Sequence, residues 1–423
     1  MTEGGVGGGS HTTGEGAEAG ARPIEHVFVS TDAREITLVL IAGEHSGDAL
    51  GAKLMRAIRQ RRKGRVRFLG VGGELMEAEG MVSQFPLSDV AVMGPLAILA
   101  RLPKLVDRVY RTVDAAVAAQ PDAVVIIDSP EFTHPIAKRI RQRRPDIPIV
   151  DYVSPTVWAW RPGRARKMKP YVDHVLALLP FEPSAHERLG GPACSYVGHP
   201  LIERMDDLRA IDTQPLRDRL ALGEDRTPIV VLPGSRSSEV GHLMGVFGET
   251  LRRIEAGGRK LDIMVPAVPH LRERIDRESL GWPGRVHILD GEDDKFRAFR
   301  IARGALAASG TVTLELGVAG TPMVVAYRVD RVAALLRFLV NVPSIVLANL
   351  VLDERAFPEF IQEDCVPEKL APALEAILGE GAERSHQLAA LGRLEDRMRL
   401  PSGTPSDQAA AIVLGYADKG RQN

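Results

Sequence analysis

The chain has 423 residues, which is enough for two or three domains of roughly 150 residues each. Hydrophobic residues make up 44% and charged residues 26%, so the composition is that of a folded globular protein and excludes a collagen-like or wholly disordered one. The formal net charge is −1, so no overall positive field favours a nucleic acid as partner.

Cysteine and histidine placement bears on redox state and on metals. Cys194 and Cys365 are the only cysteines and lie 171 positions apart, which excludes a disulfide framework and favours a reducing, cytoplasmic location. None of the 11 histidines pairs with another at a helical spacing, and no Asp-x-Asp motif occurs. We therefore expect no metal and no other cofactor. No run reaches the ~18 apolar residues of a membrane-spanning helix, so any membrane contact would be peripheral.

Residues 1–35 are predicted to be a disordered leader. The first 21 residues hold eight of the 41 glycines, together with Ser, Thr, Glu and Ala, and contain no large aromatic residue. Such a segment buries too little apolar surface to offset its ordering entropy. Ordered structure is expected to begin near Ile36.

An alternation of strands and helices begins at Ile36–Ala42, an apolar run that is typical of a strand buried on both faces. It leads through a glycine-containing turn into an amphipathic helix. The same order recurs with predicted strands at Val66–Val71, Ala123–Asp128 and Ile149–Val153 and with a predicted helix at Ile136–Arg144. This alternation predicts a doubly wound α/β domain with a parallel sheet.

The pattern restarts after about residue 205. We predict two Rossmann-like domains, residues 36–203 and 204–400, with a charged helix at Ile202–Leu220 near the boundary and a C-terminal helix and tail at 401–423. Open α/β sheets bind ligands beyond the carboxyl ends of their strands, so the cleft that the two domains face is expected to hold the site. The predicted strands of the second half are Ile229–Leu232, Leu261–Val265, Val286–Leu289, Gly304–Ala307 and Met323–Tyr327.

The turn Ser309-Gly310-Thr311 precedes a predicted helix at Val312–Ala319. Free backbone N–H groups and the helix dipole favour a phosphate there. Glu315 lies one turn further, where a carboxylate could accept the hydroxyls of a ribose. The alternative is a plain helix with Thr311 as its cap and a solvated Glu315.

Arg236 follows the predicted strand Ile229–Leu232 within the segment Pro233–Glu239. Its planar guanidinium group can bind phosphate oxygens in a bidentate manner, and the small residues beside it leave the backbone open. We favour a phosphate contact over an ordinary surface arginine.

Asp128 ends the apolar run AVVIID, so its carboxylate is expected to project from a buried strand into the cleft. A partly desolvated carboxylate has a raised pKa and can act as a general base. The alternative is an aspartate that caps the following helix, and Glu131 is a second candidate for the base.

The segment Val90–Tyr110 combines apolar residues with Arg101, Lys104 and Arg108, a composition that suits a helix in the headgroup layer of a membrane. A core helix with cations at its edge is the alternative. The predicted membrane contacts are Met93, Leu96, Ile98, Leu99 and Leu102.

Two basic clusters, Arg61–Lys63 and Arg161–Lys169, lie in the same half and are typical of solvated faces. RNA binding would need interleaved aromatic residues, and Trp158 and Trp160 are the exception rather than the pattern. No nucleic acid partner is expected.

From about residue 36 to residue 416 the chain resembles the lipid-A-disaccharide synthase family. The resemblance is specific because several blocks occur in the family's order. These blocks are Ala42–Asp48, Gly70–Gly80, Asp128–Phe132, Tyr152–Arg161, Leu179–Glu182, Val197–Leu201, Leu232–Val240 and Ala308–Tyr327.

Two positions depart from the family's pattern. His45 stands where a small residue is usual, which could alter the loop on the side of the site that would face the sugar acceptor. Ala348 stands where a proline is usual, so the loop Ser344–Asn349 is less constrained and the role of Asn349 is less secure than that of Arg236.

The resemblance implies a GT-B fold and an inverting transfer of 2,3-diacylglucosamine from its UDP derivative to the 6-hydroxyl of 2,3-diacylglucosamine 1-phosphate, giving a β-1,6 disaccharide and UDP. It implies Asp128 as the base. The residues implied for the UDP-sugar are Arg236, Ser309, Gly310, Thr311, Glu315, Asn349, Glu359 and Gln362. Those implied on the acceptor side are Glu44, Ser46, Gly47, Asp48, Trp158 and Trp160.

The resemblance also implies an enzyme held peripherally on the cytoplasmic side of the inner membrane. In such folds the C-terminal helix often crosses back to the first domain, and the apolar pattern of Ala409–Tyr416 leaves a homodimer open. Alternatives are a GT-B UDP-hexosamine 2-epimerase, another lipid-linked sugar transferase, or a nucleotide-binding module without chemistry.

Overall fold

A computed structural model describes Met1 and residues 35–63, 65–91, 95–329 and 342–419, with only the backbone for residues 95–100. The predicted leader therefore lies outside the described residues apart from its two ends. The domain bounds at residues 203 and 400 stay predictions.

The first half is built on a parallel sheet of seven strands within the described residues, in the order β3-β2-β1-β4-β5-β6-β7. The strands predicted from the apolar runs are confirmed. All five residues of β4 are buried because helices cover both faces of the sheet. The strands are β1 (Ile36–Ala42), β2 (Val66–Val71), β3 (Val82–Ser83), β4 (Ala123–Ile127), β5 (Ile149–Tyr152), β6 (His174–Ala177) and β7 (Ala193–Tyr196).

The helices of this half alternate with the strands, as predicted. Pro95 is the first residue of α3, a position where its missing N–H costs no hydrogen bond, and Pro103 lies within the same helix. The helices are α1 (His45–Arg62), α2 (Glu74–Ala78), α3 (Pro95–Ala119), α4 (Pro130–Arg143), α5 (Gly163–Met168) and α6 (Glu182–Leu189).

The second half is built on a parallel sheet whose described strands number six, in the order β10-β9-β8-β11-β12-β13. Its strands are β8 (Thr227–Leu232), β9 (Leu261–Pro266), β10 (Arg285–Leu289), β11 (Gly304–Ala308), β12 (Met323–Tyr327) and β13 (Glu359–Ile361). The described helices are α7 (Met205–Ala210), α8 (Gln214–Leu220), α9 (Ser237–Ala256), α10 (Arg272–Ser279), α11 (Glu292–Ile301), α12 (Val312–Ala319), α13 (Leu347–Leu352), α14 (Pro367–Leu378), α15 (Ala382–Met398) and α16 (Pro405–Lys419).

Each sheet separates two apolar cores. In β1, Leu38 and Leu40 belong to the core on one face, while Val39 and Ile41 belong to the core on the other. This follows from the alternation of side chains along a strand. Both faces of both sheets are therefore covered, which is the doubly wound arrangement that the alternating pattern predicts.

The C-terminal helix α16 crosses back to the first half. Ala409, Ala410 and Val413 are buried in the same core as Leu38, against α1 and β4. Glu203 joins the crossing to the connection between the halves, since its carboxylate accepts hydrogen bonds from Lys53 Nζ at 2.6 Å and from the backbone N–H of Ser406 at 2.9 Å. The homodimer that the apolar pattern leaves open stays a prediction.

The prediction of one helix over Ile202–Leu220 is wrong. A short 3₁₀ helix at Pro200–Arg204 leads into α7. The helical structure ends at Ala210 and begins again only at Gln214, with α8. Pro215 has no N–H to donate to the Ile211 carbonyl, so a continuous helix would lose a hydrogen bond there, and the Asp212 side chain accepts a hydrogen bond from the Gln214 N–H at 2.9 Å. Four short strands, β3, β6, β7 and β13, were not predicted because two to four residues carry no periodic signal.

Candidate active site

Asp128 lies immediately after β4, at the carboxyl edge of the first sheet. Asp128 and Ser129 both have left-handed backbone conformations, with φ of 55° and 45°. Such conformations cost on the order of 1–3 kcal/mol each and persist only where neighbouring groups enforce them. Here the Asp128 N–H donates to the Tyr152 carbonyl at 3.0 Å and the Thr133 hydroxyl donates to the Asp128 carbonyl at 2.8 Å.

The carboxylate of Asp128 is held by two donors. The Ser46 hydroxyl donates to Oδ2 at 3.0 Å and the Ser129 N–H donates to Oδ1 at 2.7 Å. The structure thus brings together the predicted base and a predicted acceptor-side residue that is 82 positions away in the sequence. Glu44, immediately before α1, and His45, its first residue, are exposed next to Ser46.

Two glycines allow the loop after β1 and the first turn of α1 to approach the turn after β4. A Cβ atom on Gly43 would lie 2.5 Å from the Cβ of Ser129, and one on Gly47 would lie 3.1 Å from the Ile127 carbonyl oxygen. Larger residues at these positions would push Asp128 and Ser46 apart. Gly47, predicted for the acceptor side, therefore allows the start of α1 to pack closely against the end of β4.

Asp48 is buried and holds α2. Its carboxylate accepts hydrogen bonds from the backbone N–H groups of Gly73, Leu75 and Met76, at 2.8, 3.1 and 3.0 Å. The side chain therefore satisfies donors that the start of a helix leaves unpaired. A direct contact between Asp48 and an acceptor stays a prediction.

Trp158 is held by Glu182, a buried residue for which the sequence reasoning gave no role. The indole N–H donates to Glu182 Oε1 at 3.1 Å, while Oε2 accepts from the N–H groups of Leu178 and Leu179 at 3.1 and 3.0 Å. Burial raises the pKa of Glu182 to about 7, although these hydrogen bonds act in the opposite direction. In the sequence, Glu182 could have been singled out because it is the last residue of the family block Leu179–Glu182.

Trp160 lies two residues further along the same loop. The guanidinium group of Arg161 sits 5.4 Å from the centre of the Trp160 ring, within range of a cation–π interaction. Both predicted acceptor-side tryptophans are half-buried. The loop between β5 and α5 therefore places two aromatic side chains near the carboxyl edge of the first sheet.

Arg236 lies between β8 and α9, where Glu239 fixes the backbone. Glu239 Oε2 accepts from the N–H groups of Ser235 and Arg236 at 3.0 and 3.2 Å, and Oε1 pairs with Arg236 Nη1 at 2.7 Å. Gly234 has a φ of 113°, and a Cβ there would lie 2.5 Å from Glu239 Oε2. The Arg236 side chain is 64% exposed, and its Glu239 contact uses one of five guanidinium N–H groups.

The turn Ser309-Gly310-Thr311 joins β11 to α12, as predicted. Gly310 has a φ of 150°, and a Cβ there would meet no atom within 4 Å, so the backbone is open to a ligand. Thr311 makes no capping hydrogen bond with its side chain, which argues against the alternative of an ordinary threonine cap. Within the first turn of α12, the N–H groups of Thr313 and Leu314 donate to the carbonyls of Gly310 and Thr311, at 3.1 and 2.9 Å, so the N–H groups that could meet a phosphate are those of the turn itself.

Glu315 is not simply solvated. Its carboxylate lies 3.1 Å from Lys295 Nζ, and the two side chains are only 24% and 23% exposed. A carboxylate has four lone-pair positions, so the pair with Lys295 fixes the orientation of Glu315 and leaves acceptor positions for hydroxyl groups. Lys295 is a residue that the sequence reasoning did not single out.

Asn349, Glu359 and Gln362 are engaged within the protein. Asn349 is buried, donates to the Phe357 carbonyl at 2.8 Å and accepts from the Phe357 N–H at 2.9 Å. Gln362 makes the corresponding pair of bonds with the backbone of Val329, at 2.7 and 3.3 Å. Contacts between these side chains and a nucleotide stay predictions.

Glu359 fixes the loop before α13. Its Oε2 accepts from the Ser344 hydroxyl at 2.9 Å and from the Ile345 N–H at 2.8 Å. The Ser309 hydroxyl donates to the Ile345 carbonyl at 2.7 Å, which ties this loop to the turn after β11. These bonds constrain the loop that leads into α13, in which Ala348 is buried.

The candidate residues fall into two groups, each at the carboxyl edge of one sheet. Asp128 and Ser46 belong to the first sheet, and Arg236 and Gly310 belong to the second. No hydrogen bond or ion pair joins Asp128 to Arg236 in the described part of the chain. Among the described residues, no group of three or more His, Cys, Asp or Glu side chains could hold a metal ion.

Comparison with known proteins identifies the family. The family model of lipid-A-disaccharide synthetase matches residues 38–413. The chain is 51% identical over 398 residues to the lipid-A-disaccharide synthase of Nitrobacter winogradskyi, covering 94% of this chain and 97% of that protein. It is 42% identical over 387 residues to that of Rhodospirillum centenum, covering 91% and 96%.

The chain belongs to the lipid-A-disaccharide synthase family. It is therefore a glycosyltransferase of lipid A biosynthesis, as the sequence blocks predicted. The alternatives of an epimerase, another lipid-linked sugar transferase and a module without chemistry are not favoured, since the match covers nearly the whole length of both chains.

Solved structures confirm the GT-B fold. MurG of Acinetobacter baumannii matches with a TM-score of 0.55 and 13% identity, covering 90% of this chain and 99% of that one. A structure of MnaA from S. aureus with UDP matches with a TM-score of 0.59 and 14% identity, covering 92% and 98%. At these identities the likeness concerns the fold alone.

Glu182→Gln is expected to change how stability depends on pH. The Glu182 carboxyl has a pKa of about 7 when folded, against an ordinary value of 4.5, so its contribution to stability is full below pH 4.5 and is lost as pH rises through 7. Glutamine does not titrate. The variant should therefore gain stability relative to the parent protein, by on the order of 3 kcal/mol at most, as pH is raised from 5 to 8.

Urea denaturation of both proteins at pH 5 and pH 8 measures this difference. Burial lowers the pKa of His174 and of His199 to about 4, which makes stability rise with pH, but this contribution is the same in both proteins and cancels. Glu187→Gln, on the exposed side of α6, is the matched control. A difference between Glu182→Gln and the parent protein that does not vary with pH would contradict the interpretation.

Proposed function

We propose that the protein transfers 2,3-diacylglucosamine from its UDP derivative to the 6-hydroxyl of 2,3-diacylglucosamine 1-phosphate, with inversion at the anomeric carbon. Family membership supports the reaction. The observation that carries the chemistry is the carboxylate of Asp128, held by Ser46 and the Ser129 N–H at the end of β4.

Asp128 acts as the general base. It accepts the proton of the acceptor 6-hydroxyl while that oxygen forms a bond to the anomeric carbon of the donor sugar. The bond from this carbon to the diphosphate oxygen breaks, and its electron pair leaves with UDP. Attack from the opposite face inverts the carbon, so one base is sufficient and no covalent intermediate forms.

The second half stabilises the departing diphosphate. Arg236 and the N–H groups around Gly310 and Thr311 would donate to its oxygens, and each such donor is commonly worth ~3 kcal/mol of the barrier. Glu315, oriented by Lys295, would accept the ribose hydroxyls. The loop fixed by Asn349, Glu359 and Gln362 would complete the nucleotide side.

We propose peripheral contact with the cytoplasmic surface of the inner membrane through α3. Of the predicted contacts, Met93 and the side chains of Leu96, Ile98 and Leu99 lie outside what the structure describes. Leu102 is exposed, at 47%, and Val106 and Tyr110 are exposed to a similar extent, at 46% and 51%. Residues four apart share a helix face, so these three form an exposed apolar stripe. No described helix is long and apolar enough to cross a membrane.

Asp128→Asn tests the base and the reaction together. The parent protein should release UDP only when both lipid substrates are present. The variant should bind the UDP-sugar normally but turn over about 10² to 10⁴ times more slowly, because asparagine cannot accept the proton. Asp146→Asn, on the exposed surface, should leave turnover unchanged. Near-normal turnover of Asp128→Asn would exclude Asp128, and Glu131 would be tested next.

Arg236→Lys tests the diphosphate contact. Lysine keeps the charge but loses the planar fork, so the affinity for UDP should fall about tenfold without loss of folding. Isothermal titration with UDP measures the affinity. Arg252→Lys, exposed on the last turns of α9, is the control. Equal UDP affinity in the two variants would remove Arg236 from this role.

Replacing Leu102 and Val106 by Ser together tests the membrane contact. If the stripe touches lipid, the variant should sediment less with phospholipid vesicles while its melting temperature stays within a few degrees of the parent's, because exposed sites contribute little to stability. Leu280→Ser with Leu388→Ser, both exposed elsewhere, is the control. Unchanged sedimentation would leave the stripe without a membrane role.

A further inference from the structure

A cavity of about 520 Å³ opens between α4 and α5 on the first half. Its lining is strongly basic, although the whole chain is nearly neutral. Five cationic side chains face one carboxylate, which gives the lining a formal charge of 5 − 1 = +4 with His134 neutral. The six charged residues are Lys138, Arg139, Arg161, Arg164, Lys167 and Glu131.

The cations are only partly neutralised. Glu131 pairs with Arg164 at 2.5 Å and lies 3.9 Å from Arg161, so one carboxylate serves two guanidinium groups. In the part of the chain that the structure describes, Lys138 and Lys167 have no acidic partner. Such a concentration of cations around a cavity costs electrostatic self-energy, which a bound anion would offset.

The floor of the cavity is polar. The Tyr171 hydroxyl lies 3.1 Å from His134 Nδ1, and His134 Nε2 lies 3.3 Å from a carboxylate oxygen of Asp151, which is buried. Both Tyr171 and His134 line the cavity. A chain of hydrogen-bonding groups beneath five cations suits a phosphate.

The cavity adjoins the proposed base. Pro130 and Glu131, which line one end, follow Asp128 and Ser129 directly at the start of α4. The other wall follows the loop that carries Trp158 and Trp160. Lys138 lies seven residues after Glu131, about 10 Å further along the helix. The lining therefore begins two residues after the base, at Pro130 and Glu131, and its cations lie further along α4, on α5 and on the segment that leads into α5.

We propose that this cavity binds the phosphate of the acceptor, so that the sugar lies between Lys138 and Lys167 at one end and Asp128 at the other. The inference rests on the proposed function, which requires an acceptor with an anionic phosphate and a reactive hydroxyl at opposite ends of one sugar. It assigns recognition of the phosphate to the first half, apart from the diphosphate contacts of the second half.

The double variant Lys138→Gln, Lys167→Gln tests the proposal. In micelles of a neutral detergent, its KM for 2,3-diacylglucosamine 1-phosphate should rise about tenfold, while its KM for the UDP-sugar should not change. Arg166→Gln with Lys169→Gln removes the same charge at α5 without touching the cavity lining and should leave both constants unchanged. Thermal melting of both variants checks that they are folded.

An acceptor without its phosphate provides the second arm. The parent protein should use it with a kcat/KM reduced about tenfold or more, and the Lys138, Lys167 variant should lose little further when the phosphate is removed. If the variant discriminates between the two acceptors as well as the parent does, or if its acceptor KM is unchanged, the proposal is wrong.

The same phosphate chemistry could come from a membrane lipid. If the variant loses binding to phosphatidylglycerol vesicles but not to phosphatidylcholine vesicles, with its acceptor KM in micelles unchanged, the cavity serves lipid headgroups and the proposal is overturned. Failure of the parent protein to form product from both substrates would instead contradict the proposed function. The two failures are therefore distinguishable.

Discussion

The carboxyl ends of parallel strands are the constraint on which the rest of this molecule depends. Strands such as β1, β4 and β11 are buried on both faces, so helices must cover both faces and the chain must leave each strand through a loop at the same edge. Asp128, Arg236 and Gly310 all lie in such loops. The candidate site is located there because the loops at that edge expose backbone groups and are held by rigid strands.

Carboxylates that are buried or half-buried hold these loops in place. Asp48, Glu182, Glu239 and Glu359 each accept hydrogen bonds from the backbone of a neighbouring loop. Hydrogen bonds to a charged acceptor are stronger than neutral ones, so one side chain can fix several loop N–H groups. Glu182 also holds Trp158, and Glu239 also holds Arg236. The side chains proposed to contact substrate are therefore oriented by carboxylates that have no proposed substrate contact.

Local charge matters more here than the net charge. The chain as a whole carries −1, yet the cavity between α4 and α5 is lined by five cations and one carboxylate. Charges further apart than about 8–10 Å are largely screened at physiological salt, so a ligand responds to the nearby cations. Arg139 lies 5.0 Å from the centre of the Tyr110 ring, and so links this cavity to the apolar stripe of α3.

Local patterns in the sequence were enough to predict the long buried strands, the doubly wound halves and the placement of Asp128 at a strand end, because burial on both faces leaves a continuous apolar run such as Ile36–Ala42. The sequence blocks shared with the family allowed the activity to be predicted as well. The tertiary structure alone decided that Ser46 reaches Asp128, that Glu182 supports Trp158 and that short strands such as β7 join the sheet. These features depend on groups far apart in the chain, and a hydrogen bond across 82 residues leaves no periodic trace in the sequence.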